Sequence, residues 1–368
     1  MSTLNTVNVK LLVPFGKLYG SIVELRNRLY DRRILRVHSL GTKTISIGNL
    51  TTGGTGKTPL VALTSRILAE SGEKVCVLTR GYGREDPNSR VLVSDWDNVL
   101  ADAAMGGDEP VELAQLLLGK AIVIADRDRV SAAKWASENF GISVFVLDDG
   151  FQHRRAHRDL DIVCIDATNP CGNGRLFPAG SLRESFKNLR RADSIIITRS
   201  DLVDAPADIV DRLRGRNPSA TIFLARQPIK KLVKLSEVTG GALEVAESGQ
   251  EDVVSCEAGS LFAFCGLGNP LSFKLQLDAN GFFVRGLRSF PDHHRYTSPD
   301  IAMIERDAAA AGASGLVTTV KDAVKLSVSR FSMPVLVAIA EVEIEDDSSF
   351  RNMLLDASCS VSAHANFA

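Results

Sequence analysis

The sequence predicts an α/β protein with two parallel sheets, each sandwiched between helices, the second smaller and joined to the first by a short β linker. Three observations carry that expectation. Short β-branched runs alternate with longer helical patterns from Thr42 onward, an acidic, glycine-containing stretch breaks the pattern between Leu224 and Ala258, and the alternation then resumes. Strands separated by helical stretches form parallel βαβ units with helices on both faces. The 368 residues suit two domains at about 150 residues each.

The first element is a basic, apolar helix. Across residues 8–36, Leu11, Leu12, Val13, Phe15, Leu18, Tyr19, Ile22, Val23, Leu25 and Leu29 are interleaved with Arg26, Arg28, Arg32, Arg33 and Arg36. Six basic residues oppose two acidic ones from Lys17 to Arg36, a local net of +4 in a chain of formal charge −1. Such a helix can lie on an anionic membrane surface. The alternative is a helix packed on its own core with solvated arginines. Next come candidate strands Thr44–Ile47, Lys74–Leu78, Ala121–Ile124, Val144–Leu147, Asp161–Ile165 and Ser194–Ile197, with helices Lys57–Glu70, Glu109–Leu118 and Arg129–Phe140. After the break, strands are expected at Leu261–Phe264, Phe282–Arg285, Gly315–Thr318 and Val335–Ala340, with helices at Pro270–Asp278 and Ser298–Ala311. The expected division is a docking helix (1–36), a first domain (37–225), a linker (226–258), a second domain (259–345) and a tail (346–368), frayed after Asp356.

Composition narrows the function. The 43 Lys and Arg nearly cancel 44 Asp and Glu, so no chain-wide field attracts nucleic acid, and no nucleic-acid partner is expected. Hydrophobic residues at 45% and charged residues at 24% exclude a disordered chain or a coiled-coil rod. The longest apolar runs, such as Val335–Ala340, fall far short of the about 20 residues that span a bilayer. Six cysteines without a CxxC pair, and no secretory signal pattern, predict a reduced cytosolic protein rather than a disulfide scaffold or zinc site.

The sharpest motif is Gly48-Asn49-Leu50-Thr51-Thr52-Gly53-Gly54-Thr55-Gly56-Lys57-Thr58, between a predicted strand and a predicted helix. Glycines let backbone N–H groups turn inward around phosphate oxygens, and the helix N-terminus adds its positive end. Lys57 would reach the β- and γ-phosphates of a nucleotide and Thr58 would meet Mg²⁺. Thr51 stands where the GxxxxGK[ST] pattern has its first glycine. With this loop the first domain reads as P-loop NTPase-like. Thr52 stands where dimerising ATPases carry a signature lysine, which argues against that class. Thr198-Arg199-Ser200-Asp201 matches a guanine-reading NKxD motif only weakly, lacking its Asn and Lys.

Asp148-Asp149-Gly150-Phe151-Gln152-His153 follows an apolar strand, the arrangement in which a strand-end carboxylate holds Mg²⁺ beside a P-loop. Gln152 and His153 then lie near the phosphates. Gly106-Gly107-Asp108-Glu109-Pro110 opens a helix. Asp108 there is either an N-cap or a base accepting a proton from an attacking hydroxyl. Asp292-His293-His294-Arg295-Tyr296 crowds ionisable groups into five residues. It is either a solvated loop, a partial metal site or one wall of an interdomain cleft.

Taken together, these motifs resemble the tetraacyldisaccharide 4′-kinase family of lipid A biosynthesis. The matching strings also include Thr79-Arg80-Gly81-Tyr82-Gly83-Arg84, Pro178-Ala179-Gly180, Leu182-Arg183-Glu184, Phe264–Pro270 and Lys321-Asp322-Ala323-Val324-Lys325, with Val320 where the family usually has Glu. The resemblance spans residues 8 to 340. It implies a peripheral kinase on the cytoplasmic face of the bacterial inner membrane, using ATP and Mg²⁺ to phosphorylate the 4′-hydroxyl of an acylated disaccharide lipid. No obligatory protein partner is implied. By the same resemblance Asp108 is the catalytic base, supported by His293. Thr51 to Thr58 with Gln152 and His153 hold the nucleotide, Thr58, Asp149 and Glu184 contact the metal, and Arg80, Tyr82, Asp148 and His294 lie by the acceptor. Two other readings stand beside it: a nucleotide-switch GTPase or ATPase without a small acceptor, and a lipid-binding module with a vestigial P-loop.

Overall fold

The computed structural model describes residues 4–239 and 259–359. In chain order the first half comprises helix α1 (Leu4–Asp31), β1 (Lys43–Asn49), α2 (Lys57–Glu70), β2 (Val75–Thr79), β3 (Val91–Ser94), α3 (Ala103–Gly106), α4 (Asp108–Leu116), β4 (Ala121–Ala125), α5 (Arg129–Phe140), β5 (Val144–Asp148), β6 (Leu160–Asp166), β7 (Ser194–Thr198), α6 (Pro206–Arg214) and β8 (Thr221–Arg226). The second half adds β9 (Ile229–Lys234), α7 (Leu235–Thr239), β10 (Leu261–Cys265), α8 (Pro270–Ala279), β11 (Val284–Ser289), α9 (Ser298–Ala310), β12 (Gly315–Thr319), α10 (Val320–Ala323), β13 (Val335–Ala340), β14 (Glu343–Ile344) and α11 (Asp347–Cys359).

Among the described residues, nine strands form one sheet in the order β14-β8-β7-β6-β1-β5-β2-β4-β3, and five form another in the order β11-β10-β12-β13-β9. The inner strands of the first sheet are parallel, with β3 and β14 antiparallel at its edges. Strands β2, β4, β5, β6 and β7 are buried along their whole length. Burial on both faces is why they read as unbroken apolar runs rather than alternating ones. The predicted α/β fold with two helix-covered sheets is the one observed.

Two boundaries differ from expectation. β9, placed in the linker by sequence, is an edge strand of the second sheet, antiparallel to β13; residues 240–258 of that linker lie outside the described residues. The chain then returns to the first domain. β14 pairs with β8, and α11 sets Phe350 and Leu354, both fully buried, into the first core. Phe350 meets Phe223 edge-on at 5.6 Å. The expected frayed tail is therefore helical as far as Cys359, because two buried apolar residues one turn apart anchor it. Residues 360–368 lie outside the described residues.

Candidate active site

β1 lies between β5 and β6 at the centre of the parallel strands, and its carboxyl end delivers the glycine-rich loop to the rim where open α/β sheets bind ligands. Gly56 caps α2 at φ 78°, a left-handed geometry that favours glycine. The loop is braced from behind. Asn49 Nδ2 donates to Thr55 Oγ1 at 2.9 Å, Thr198 Oγ1 donates to the Thr55 carbonyl at 2.9 Å, and Arg199 Nη1 donates to the Gly54 carbonyl at 3.0 Å. Arg199 also pairs with buried Asp166. In the weak NKxD string, Arg199 thus supports the loop.

At the end of β5, Asp149 adopts φ 53°, and its carboxylate lies 3.5 Å from Lys57 Nζ and 2.7 Å from Arg183 Nη1. Burial alone would raise this carboxyl, but Lys57 and Arg183 outweigh it and hold it well below the usual range. Asp148 instead lies beneath, 2% exposed, accepting from Thr79 Oγ1 at 2.9 Å. Burial, with Glu109 and Asp149 nearby, pushes it up to about 6.

The second wall begins at Gly107, whose φ of 94° starts α4 without a side-chain cap. A Cβ there would fall 2.8 Å from the Tyr82 carbonyl. Asp108 is therefore the first helical residue and not the N-cap. His293 Nδ1 donates to its carboxylate, at 2.9 Å and 3.0 Å from the two oxygens. Lys325 Nζ lies 3.5 Å away, while Lys321 bridges Glu109 at 2.9 Å and Asp292 at 2.8 Å. Burial would raise Asp108, yet the His293 hydrogen bond, Lys321 and Lys325 bring it to about 2. The same hydrogen bond raises His293.

The two walls share one cavity of about 570 Å³, lined by Thr52 to Thr58, Tyr82, Asp149, Arg183, Asp292, His293 and Lys321, with an apolar end at Leu116, Ile229 and Phe273. Glu112 lies half-buried in this lining, where burial pushes it up to about 8. A neighbouring cavity of about 530 Å³ gathers Arg26, Arg80, Arg127, Arg129 and Arg183 with Tyr82, Gln152 and His153. Arg80 Nη1 donates to the Tyr82 hydroxyl at 2.7 Å. Burial lowers His153 to about 3, so its imidazole is neutral near pH 7.

The structure thus brings together Thr52–Thr58, Asp149, Tyr82 and His293 around one cavity, and Arg80, Gln152 and His153 around its neighbour. Five expected site residues lie elsewhere. Asp108 lines a separate cavity of about 330 Å³ with His293 and Lys325, and meets the first cavity through its bond to His293. Thr51 is buried in a bridge to Leu182. Asp148 is buried against Thr79 and lines neither cavity. His294 lines neither cavity; it stacks on Phe290 and lies 3.1 Å from Asp300. Glu184 is fully buried, with oxygens taken by Asn27 at 3.0 Å, Gln152 at 2.9 Å and Arg191 at 3.0 Å, so it has no free face for a metal. Arg183, Lys321, Lys325 and Glu112 were missed as site residues, although the first three stand inside the strings that carried the resemblance.

What the cleft offers is a cradle for phosphates on one wall and an acid–base pair on the other, the equipment of a P-loop phosphotransferase. More narrowly, the chain belongs to the tetraacyldisaccharide-1-P 4′-kinase family, whose model matches residues 9–358. It is 37% identical over 349 residues to the tetraacyldisaccharide 4′-kinase of Syntrophus aciditrophicus, covering 94% of this chain and 92% of that one. It is 38% identical over 346 residues to that of Geobacter metallireducens, covering 93% and 96%. The crystal structure of LpxK from Aquifex aeolicus in complex with ATP superposes with a TM-score of 0.71 at 30% identity, covering 95% of this chain and 99% of that one.

Proposed function

We propose that this protein transfers the γ-phosphoryl group of ATP to the 4′-hydroxyl of a tetraacyldisaccharide 1-phosphate in lipid A biosynthesis. The observation that carries the reading is the single cavity with Lys57 and Asp149 on one side and His293, bonded to Asp108, on the other. Phosphoryl transfer asks mainly for positioning and charge neutralisation. The loop amides and Lys57 hold the phosphates. Asp108, ionised and oriented by His293, accepts the acceptor hydroxyl's proton as attack proceeds. A bound triphosphate adds negative charge nearby and strengthens that base.

Among the described residues no three His, Cys, Asp or Glu side chains converge on a metal. Mg²⁺ fits the site all the same, because it takes one or two protein oxygens and fills its shell with phosphate and water. The Thr58 hydroxyl would hold it together with Asp149, whose carboxylate is shared with Arg183 but, unlike that of Glu184, opens on the cavity, and the ion would neutralise charge developing on the phosphates.

The acceptor's acyl chains require work at an interface. On α1, Leu11, Phe15, Leu18, Ile22 and Leu25 recur at spacings of four and three and are each between 59% and 67% exposed, an apolar stripe turned outward. The opposite face packs down, with Gly16 and Gly20 against Leu176. No described helix is long and apolar enough to cross a membrane. The stripe and the arginines beside it support peripheral docking on an anionic leaflet, the cytoplasmic face of the inner membrane. Incubation with γ-labelled ATP and the disaccharide monophosphate, followed by mass spectrometric location of the added group, tests the reading. Label at the 4′ position is expected. Partner-stimulated hydrolysis without lipid labelling would favour a nucleotide switch.

A further inference from the structure

Glu184 is a junction. Its Oε2 accepts from Asn27 Nδ2, on α1, at 3.0 Å, while Oε1 accepts from Gln152 Nε2 at 2.9 Å. Gln152 Nε2 also donates to the Asn49 carbonyl at 2.9 Å, where the phosphate loop begins. Asn27 is 3% exposed, and its Oδ1 is buried without a hydrogen-bond partner. An amide half-satisfied in this way costs stability that an apolar residue at the same helical position would spare, so the bond to Glu184 is the feature that needs explaining.

The segment around Glu184 makes the same connection by packing. Its early part lies under α1: Leu176 meets Gly16 and Gly20, and Phe177 meets Tyr19 edge-on at 5.8 Å. Its later part lies on the cradle. The Ser181 carbonyl accepts from the Thr52 amide at 2.6 Å, the Arg183 amide donates to the Leu50 carbonyl at 2.8 Å, and the Arg183 guanidinium grips Asp149 beside Lys57. A shift of α1 is therefore felt where the triphosphate would sit.

We propose that Asn27 is a positioning residue that couples the seating of α1 to the phosphate cradle, acting through Glu184 on Gln152 and, along the same segment, on Arg183 and Asp149. The inference rests on nucleotide binding at this cradle and adds that the helix serving as membrane dock also sets nucleotide affinity. It makes Glu184 a strut between helix and loop.

The test uses the full chain and a non-hydrolysable ATP analogue with Mg²⁺, with binding measured by calorimetry in the absence of acceptor. Asn27→Ala should melt cooperatively and float with anionic phosphatidylglycerol vesicles as the parent does, yet lose about tenfold in analogue affinity, the equivalent of 1.4 kcal/mol. Asn27→Leu, which keeps the buried volume and cannot donate to Glu184, should lose as much as Asn27→Ala, whereas Asn27→Gln, which keeps an amide donor, should recover part of the loss. Analogue affinity in Asn27→Ala within twofold of the parent, or an Asn27→Gln no better than Asn27→Leu, would overturn the coupling. Should Asn27→Ala not fold, the comparison of Asn27→Gln with Asn27→Leu decides alone. A parent protein that failed to bind the analogue would instead reject the kinase reading itself.

Discussion

Asp108 and His293 stand 185 positions apart in the chain, and the 2.9 Å contact between Asp108 Oδ1 and His293 Nδ1 joins the start of α4 to a turn of the second domain. The proposed base is thus held by a contact between both domains, and its protonation would report on that contact. Lys321, bound to Glu109 and Asp292, clamps the same junction.

Removing the imidazole should move the acid limb of the pH–rate profile. In His293→Ala, Asp108 loses the hydrogen bond that helps hold it at about 2 and rises toward the ordinary value near 4. The acid limb of kcat/KM is expected to shift upward in pH, with lower turnover throughout. The pair also contributes stability, with a defined window. The depressed Asp108 contributes above its unfolded value of about 4 and loses that contribution as pH falls toward its folded value. The raised His293 contributes fully below about 6.5 and loses its contribution as pH climbs through its folded value. Melting temperatures of parent and His293→Ala should therefore differ most between about pH 4 and about pH 6.5 and converge on either side.

Glu112 gives a separate signature on the alkaline side. Burial holds it at about 8, so it is largely neutral at pH 7 and ionises above its pKa inside the cavity proposed for the triphosphate. The KM for ATP is expected to rise as pH passes through about 8 and to stay flat over that range in Glu112→Gln. A parent profile as flat as the variant's would count against this role.

The outward stripe on α1 should be separable from the fold. Replacing Leu18 and Ile22 together by Asp removes two exposed apolar contacts and adds charge that an anionic leaflet repels. Flotation with phosphatidylglycerol vesicles should drop severalfold while the thermal melt stays put, since neither side chain packs on the core. Undiminished flotation would move the dock elsewhere.

Helix α11 makes a stability prediction. Phe350 is fully buried against Phe223 and the first core, so Phe350→Ala should cost about 3–5 kcal/mol by denaturant unfolding. A loss below about 1 kcal/mol would mean that the segment contributes only its own helix.

The central strands were legible because burial on both faces leaves continuous apolar runs, as in Val75–Thr79 and Val144–Asp148. The edges were not. Ile229–Lys234 is the string IKKLVK, with Lys230 and Lys234 exposed on an edge strand, and β14 is two residues long. Such charges protect sheet edges and erase the strand pattern. At the site, the phosphate loop was legible because its residues are contiguous. Asp108 and His293 came through the resemblance. The Arg183–Asp149 and Asn27–Glu184 contacts span 34 and 157 positions, so no local pattern encodes them. His294 was expected at the acceptor because adjacent histidines look alike in sequence, and only their partners, Asp108 for His293 and Phe290 with Asp300 for His294, tell them apart.

The most direct measurement compares nucleotide binding with phosphoryl transfer in Asp108→Asn, which keeps the side chain's shape and removes its ability to take a proton. Analogue affinity by calorimetry should stay within about threefold of the parent, while single-turnover transfer to the disaccharide acceptor should fall by at least about 10²-fold, the scale of general-base catalysis. Transfer at the parent's rate with binding intact would contradict the assignment of the interdomain aspartate as the base.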